Sequence, residues 1–435
     1  MERTKVLFAT APFDGHFNPL TTLALALQQV GYDVRWYTQE KYAPKLAKLQ
    51  IPHYPFRNAL QFHDGNMDEL FPKRAAISSK IGKLNFDIQE IFVKRGPEYF
   101  EDLREIHKTF PFELMVADLG FTGIPFVRRL MQIPVIGVSV FPLMESAREL
   151  APYGLGLAPA STYLGKLKHA VLRFLASQVL FRKSNKLNSE ILTSFGITGT
   201  GNLFDDGIFH SSIVLQSGTP GFEYYREKMS DHIRFAGALL PATSSPERST
   251  RSYRDNSYER TVLVTQGTVE KDIEKLLVPT LQAFRGSNTR VIVTTGGSGT
   301  EELRRRFPES NFLIEDFIPF GEVMPHCDVY ISNGGYGGVL LGIQNHLPMV
   351  VAGIHEGKNE ICARVGYFKL GINLNTETPA PSQIREAVNQ VSRNHEYLSN
   401  VKELAEEFSR FDPTFLIKKY VYLLTSRHGM ISKAA

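Results

Sequence analysis

The sequence has little of what marks a secreted, membrane-spanning or nucleic-acid-binding protein. Only two cysteines occur in 435 residues, Cys327 and Cys362. That is no disulfide framework, and a reducing compartment, the cytoplasm, is the expectation. The longest uncharged apolar run, MQIPVIGVSVFPLM from Met131 to Met144, is shorter than the roughly 20 residues of a membrane span. The N-terminus MERTKVLFATAPFDGH starts basic, but its apolar run ends by Asp14; it reads as a buried first strand rather than a signal peptide. Net charge is only +4, too mild for the clustered basic face of a nucleic-acid binder. No Asp-x-Asp pair is present, so no metal clamp is expected.

What remains is a globular chain too long for one hydrophobic core. KVLFATAP, DVRWYTQ, FELMVADLG and IPVIGVSV read as buried strands of a parallel sheet. The first is followed by the loop FDGHFN and a helix with Pro19 in its first turn and Gly31 as its stop. A Ser-, Arg- and Pro-rich stretch from Pro241 to Arg260 reads as a linker. After it the rhythm restarts with TVLVTQGT, TRVIVTTGG, NFLIEDFIP, DVYISNGG and MVVAGIH. The expected architecture is α/β: two doubly wound, Rossmann-like domains facing across a cleft. Residues 1–240 form the first domain, 241–260 the linker, 261–411 the second domain and 412–435 a closing helix and tail. Ligands then belong at the carboxyl ends of the strands.

Two stretches, Tyr54 to Glu90 and Phe141 to Thr162, lack clean periodicity and read as long loops lining a ligand. The segment from Tyr163 to Leu192 reads as an amphipathic helix with Lys and Arg on its polar side. Packing its apolar side on the domain is the plain expectation, and a membrane-surface or lipid-acceptor role is the alternative.

Four features carry chemistry. His16, in the turn after the first strand, sits where a side chain faces ligand and can take a proton from a hydroxyl; a cap or packing role is the structural alternative. Asp118 ends an apolar strand, where an acid needs a partner. It could hold the Nδ1 proton of His16, or simply cap the next segment. Thr268, in TQGT, could place a phosphate at the start of a helix over EKDIEKLLVPTLQAF, or serve only as an N-cap. ISNGGYGG, around Asn333 to Gly338, is a strand, a glycine-rich turn and a helix, the arrangement in which backbone amides bind phosphate. It lacks both the GxGxxG spacing and a Walker GK[ST].

Taken in order, GHFNPL, VADLG, QGT, FIPFGEVMPHCDVYISNGG, LPMVVAG, EGKNEICARVG and GINL resemble the UDP-glycosyltransferase family, inverting enzymes of GT-B fold. The similarity is nearest to the bacterial branch acting on macrolides and other natural products. The resemblance implies His16 as general base and Asp118 as the acid that orients it. It implies donor contacts from Gly267, Thr268, Phe317 on the nucleobase, Ile318 through its backbone, Asn333, Gly335, Tyr336, Gly337 and Gly338 on the diphosphate, and Glu356, Lys358 and Asn359 on the sugar. Phe13, Phe17, Phe141 and Met144 are expected at the acceptor. The sequence departs from the family pattern at Asn333 (usually His), at Leu341 (usually an acid for the ribose) and at Lys358-Asn359 (usually Asp-Gln).

The expected reaction moves a sugar, with inversion, from a UDP- or dTDP-sugar to a hydroxyl of a small hydrophobic acceptor such as a flavonoid or macrolide. No metal or other cofactor is implied, and the chain would act as a monomer or weak homodimer. The alternatives are a sugar-nucleotide 2-epimerase, a non-catalytic sugar-nucleotide-binding partner protein, and a lipid glycosyltransferase working at a membrane surface.

Overall fold

The computed structural model describes residues 3–61, 67–242, 253, 255–267 and 270–432. Its first half is a seven-stranded sheet. The strands are β1 (Lys5–Ala9), β2 (Asp33–Thr38), β3 (His53–Pro55), β4 (Leu114–Asp118), β5 (Val135–Ser139), β6 (Ile213–Gln216) and β7 (Ile233–Phe235). Their order is β3-β2-β1-β4-β5-β6-β7, with every pairing parallel. The second half has six, β8 (Arg260–Thr265), β9 (Thr289–Thr294), β10 (Phe312–Glu315), β11 (Val329–Ser332), β12 (Met349–Val351) and β13 (Gly371–Asn373). Their order, β10-β9-β8-β11-β12-β13, repeats the first half's, again all parallel.

Strands covered on both faces need apolar residues at every position rather than alternate ones. Accordingly β4 is buried throughout, as are β5, β11 and β12. Four strands, β3, β6, β7 and β13, are only three or four residues long, too short to stand out in the sequence. They lie towards the sheet edges, where pairing with a neighbour defines them.

In both sheets the winding direction reverses between the first and fourth strands: β1 beside β4, and β8 beside β11. Loops leaving the carboxyl ends of these neighbours diverge above and below the sheet and open a crevice. The register pairs Ala9 with Ala117 in one half and Thr265 with Ser332 in the other. The loops after β1 and β4 therefore start level with each other, as do those after β8 and β11.

Most of the linker lies outside the described residues. The last helix, Pro413–Ser432, returns to the first half. Its Ile417 and Val421 are fully buried in the core built on Leu20, Leu23 and Leu27, so the chain's final segment belongs structurally to its first domain. The stretch Tyr54 to Glu90 is not the long loop the sequence suggested. Outside residues 62–66 it carries helices Met67–Leu70, Pro72–Ala75 and Lys80–Asp87, leading into a π-helical segment, Ile88–Val93. Short helices of this kind show little periodicity, and packing holds them. The Phe141 to Thr162 stretch does lack helix and strand.

Candidate functional site

The turn after β1 is already helical at Asp14–Phe17, continues as a 3-10 turn over Asn18–Leu20, and only then becomes the helix Thr21–Gln29. Two consecutive side chains on such a coil point about 100° apart. His16 turns to the end of β4, where its Nδ1 lies 2.5 Å from Asp118 Oδ1. Phe17 turns the other way, is 1% exposed, and packs on Trp36 and Tyr42 at ring separations of 4.6 and 4.3 Å. The expectation that Phe17 meets the acceptor is thus corrected: it is core.

Asp118 is fully buried, and its carboxylate is saturated with donors. Oδ1 also accepts the Gly120 amide at 2.8 Å, and Oδ2 accepts the Ala11 amide at 2.8 Å. A carboxylate that only accepts assigns the ring proton to Nδ1 of His16 and leaves the Nε2 lone pair free. Gly120 has a second duty. A Cβ there would lie 2.6 Å from His16 Cε1, so only glycine lets the ring approach the acid. Sequence reading missed Gly120, although its place two residues after the acid was visible in VADLG.

Three phenylalanines surround the ring. Phe13, Phe92 and Phe141 have centroids 5.7, 6.4 and 5.1 Å from that of His16, and Phe13 stacks on Phe92 at 5.8 Å. Phe13 and Phe141, both expected at an acceptor, therefore lie against His16. Phe92 was not expected; its carbonyl is pinned by the Thr122 hydroxyl at 2.7 Å, and it lies in the π-helical segment, a backbone form that recurs at functional sites. Met144 is separate. It lines a neighbouring cavity of about 330 Å³ with Leu143, Leu150, Phe174, Phe181 and Arg364, which none of the three phenylalanines joins.

In the second half the corresponding crevice is built of backbone. The turn after β11 enters the helix Tyr336–Gln344 with Gly335 as N-cap. The first amides of a helix have no acceptor within it and carry the positive end of its dipole. Gly334 has φ +77°, and a Cβ there would strike Cys362 Sγ at 2.3 Å; both the conformation and the space demand glycine. Gly337 is exposed with nothing within 4 Å of a Cβ, whereas a Cβ on Gly338 would lie 3.0 Å from the Tyr330 hydroxyl, so the helix packs closely on its sheet there. Asn333 spans the crevice: its amide nitrogen donates to the Gln266 carbonyl in the turn after β8, and its Oδ1 accepts from Gly335 N at 3.4 Å. That ties Gly267, itself at φ +75° and beside Asn333, to the glycine turn.

Thr268 lies outside the described residues. The helix expected directly after it starts only at Leu277, and the described residues between, 270–276, are not helical. Phe317, after β10, is 70% exposed beside Gly297, an unusual setting for a bare phenyl ring. Ile318 buries its side chain in the core.

Two expected donor contacts face elsewhere. Tyr336 is 7% exposed and donates its hydroxyl to the Ser217 carbonyl of the first domain at 2.7 Å. Asn359 donates to the Gly154 carbonyl at 2.6 Å. Both are interdomain struts, because the first turns of their helices abut the first domain. Glu356 and Lys358 remain at the corner, paired with each other at 2.6 Å, with Glu356 in a left-handed conformation at φ +58°.

Beside them sequence reading missed a buried ion network. Glu360 accepts the Gly154 and Gly156 amides at 2.8 Å each and pairs with Arg364 at 3.1 Å; Arg364 pairs with Glu223 at 3.0 Å. Their side chains are 2–6% exposed. Burial by itself would lower the Arg364 pKa, but the combined charges of Glu223 and Glu360, with the Tyr224 and Tyr153 hydroxyls, outweigh it and hold the pKa above its ordinary value. Burial also pushes the neighbouring Cys362 thiol up to about 12. Nothing in the sequence separates this arginine from any other helical one.

Comparison with known proteins agrees with this architecture. Residues 280–423 match the family described as erythromycin biosynthesis protein CIII-like, C-terminal domain. The chain is 31% identical over 411 residues to 4'-demethylrebeccamycin synthase of Lentzea aerocolonigenes, covering 94% of this chain and 96% of that one. It is 27% identical to UDP-glucosyltransferase 1 of Beauveria bassiana, with 96% and 94% covered. In three dimensions it is similar to CalG4, the calicheamicin glycosyltransferase, with a TM-score of 0.76 at 17% identity and 98% and 99% of the two chains covered. Two wound sheets with one crevice apiece, a buried His-Asp pair in the first, a glycine-lined helix start in the second and a relative this similar over almost the whole length lead to one assignment: the chain belongs to the UDP-glycosyltransferase family and is a glycosyltransferase of GT-B fold.

Proposed function

We propose that the protein moves a sugar from a UDP- or dTDP-sugar to a hydroxyl of a small hydrophobic natural product, in one displacement with inversion at the anomeric carbon. The observation that carries this reading is the His16-Asp118 pair at 2.5 Å, buried and ringed by phenylalanines. His16 Nε2 takes the proton of the acceptor hydroxyl as its oxygen attacks, and Asp118 stabilises the ring cation that forms. Positioned base catalysis supplies about 10²–10⁴-fold. The bond to the nucleoside diphosphate breaks in the same step, and its growing charge meets the amides at Gly335–Gly337 and the helix dipole, already oriented. Lys358 adds a cation at the same edge. This reading needs no metal to balance the leaving charge.

The names of similar proteins support the substrate classes without choosing among them. One relative is a UDP-glucosyltransferase, and a spinosyn rhamnosyltransferase of TM-score 0.66 was solved with thymidine diphosphate. Cytoplasmic action fits two free buried cysteines.

His16→Ala is expected to abolish transfer to a phenolic acceptor while UDP or dTDP binding stays near wild type, and EDTA is expected to leave wild-type turnover unchanged. Undiminished turnover by the variant would remove the base assignment. Strong EDTA inhibition reversed by Mg²⁺ would remove the metal-free one. A matrix of sugar nucleotides against phenolic, macrolide and lipid acceptors, read by mass spectrometry, identifies the pair of substrates.

A further inference from the structure

The helix Tyr163–Leu175 is mounted with its apolar side outward. An amphipathic helix on a soluble domain turns its apolar stripe to the core. Here the protein-facing side carries Gly165, His169 and Leu172, continued by Ala176; His169 and Ala176 are buried, and Gly165 and Leu172 are partly buried. The opposite arc carries Leu164, Leu167, Val171 and Leu175 at three- and four-residue spacing, exposed by 75, 52, 51 and 45%. Tyr163 and Phe174 flank them at 79 and 62%. The plain expectation of a packed apolar side is therefore overturned. Thr162 caps the start of the helix, and Arg173 ties it to the domain by donating to the Leu150 carbonyl, while most of its apolar stripe stays unburied.

Charge selects what such an arc can meet. From Tyr163 to Ser189 the chain carries Lys166, Lys168, Arg173, Arg182, Lys183 and Lys186 and no acidic residue. Five of these are exposed; Arg173 is partly buried. A second copy docked face to face would bring two cationic arcs together, an arrangement that repels itself. No described helix is long and apolar enough to cross a bilayer. An apolar arc bordered by lysines instead has the composition of a helix lying in the plane of an anionic lipid surface, with acyl chains under the arc and headgroups at the lysines.

We propose that the protein docks on anionic membrane surfaces through the outward arc of the helix Tyr163–Leu175, in addition to the transfer reaction described above. The placement has a consequence for substrate access. The same helix and its continuation wall the 330 Å³ cavity through Arg173, Phe174, Ala176, Ser177 and Phe181. A docked protein holds that cavity, and the acceptor half behind it, against the phase in which an apolar acceptor is concentrated.

The test is sedimentation of the full chain with vesicles of phosphatidylcholine alone or with added phosphatidylglycerol, at low and high salt. Binding to the mixed vesicles, at least tenfold weaker to neutral ones and weakened by salt, is expected. Leu167→Glu with Val171→Glu, and separately Lys166→Glu with Lys168→Glu, should each lower it at least tenfold. Neither pair lines the cavity, so turnover of a water-soluble acceptor should persist and report a folded enzyme. Absence of binding to any vesicle, or binding undisturbed in both double variants, would overturn the proposal. So would a concentration-dependent dimer, in ultracentrifugation without lipid, that Leu167→Glu with Val171→Glu dissolves; the occupant would then be a second copy. Loss of vesicle binding with intact transfer leaves the assigned reaction standing, and the two claims fail separately.

Discussion

The two halves share a strand order and a switch point, yet their crevices are made of different material. In the first, the groups presented are side chains: an imidazole, the carboxylate bonded to it, and phenyl rings around them. In the second, the crevice is lined by glycines, and the polar groups presented are amides at the start of a helix. The difference suits the work proposed for each. Moving a proton needs a side chain that can both take and release one, which backbone cannot offer. Holding a diphosphate needs several oriented donors at short range, which backbone supplies with little entropy to lose. Each half still needs a glycine for close approach, Gly120 under His16 and Gly334 against Cys362.

The comparison can be broken at several points. The largest effect is expected from Asp118→Asn. It keeps the shape but offers an amide NH₂ where His16 Nδ1–H must donate, so kcat should fall by about 10²–10⁴ with donor binding unchanged. Equal loss of donor affinity, by calorimetry, would mean that the halves do not divide the labour this way. Next is Arg364→Leu, which leaves Glu223 and Glu360 buried without their cation between the domains. A cost of about 3–5 kcal/mol is expected in urea unfolding; a cost near zero would show that the ion network does not help hold the halves together.

A third test acts on the first half alone. His210 is 1% exposed, and Arg129 Nε donates to its Nδ1 at 3.1 Å. Burial, then the Arg129 charge, lowers its pKa to about 4. The unfolded chain gains that proton near pH 6.5 and the folded one only near 4, so stability is full above 6.5 and falls as pH drops towards 4. The loss should reach about 3 kcal/mol and vanish in His210→Gln; an unchanged pH profile in that variant would place the sensitivity elsewhere. The smallest effect is reserved for the second half. Phe317→Ala removes an exposed ring, so folding stability should move by less than about 0.5 kcal/mol, while sugar-nucleotide affinity weakens by about 1 kcal/mol. Unchanged affinity would remove Phe317 from the donor site.

The legible part of the site was what strand order alone decides. His16 follows β1 and Asp118 ends β4, and Gln266-Gly267 and Asn333-Gly338 follow β8 and β11. Neighbouring strands bring those turns together whatever their detail. Phe92 and Arg364 were illegible because they act from helices that are placed by packing against distant parts of the chain. Thr122 holds one, and Glu223, 141 residues away, holds the other.

The sequence by itself determined the two wound sheets, the meeting of His16 with Asp118 and the glycine turn, since buried strands, strand ends and glycine clusters are local properties of the chain. Only the tertiary structure decided which way neighbours on one helical turn face: His16 to the acid and Phe17 to the core, Gly337 to the crevice and Tyr336 to Ser217, Lys358 to Glu356 and Asn359 to Gly154. It also decided that the apolar arc of Tyr163–Leu175 faces out. Periodicity says that a helix has two sides, but the partner that arrives from elsewhere in the chain settles which of them is buried.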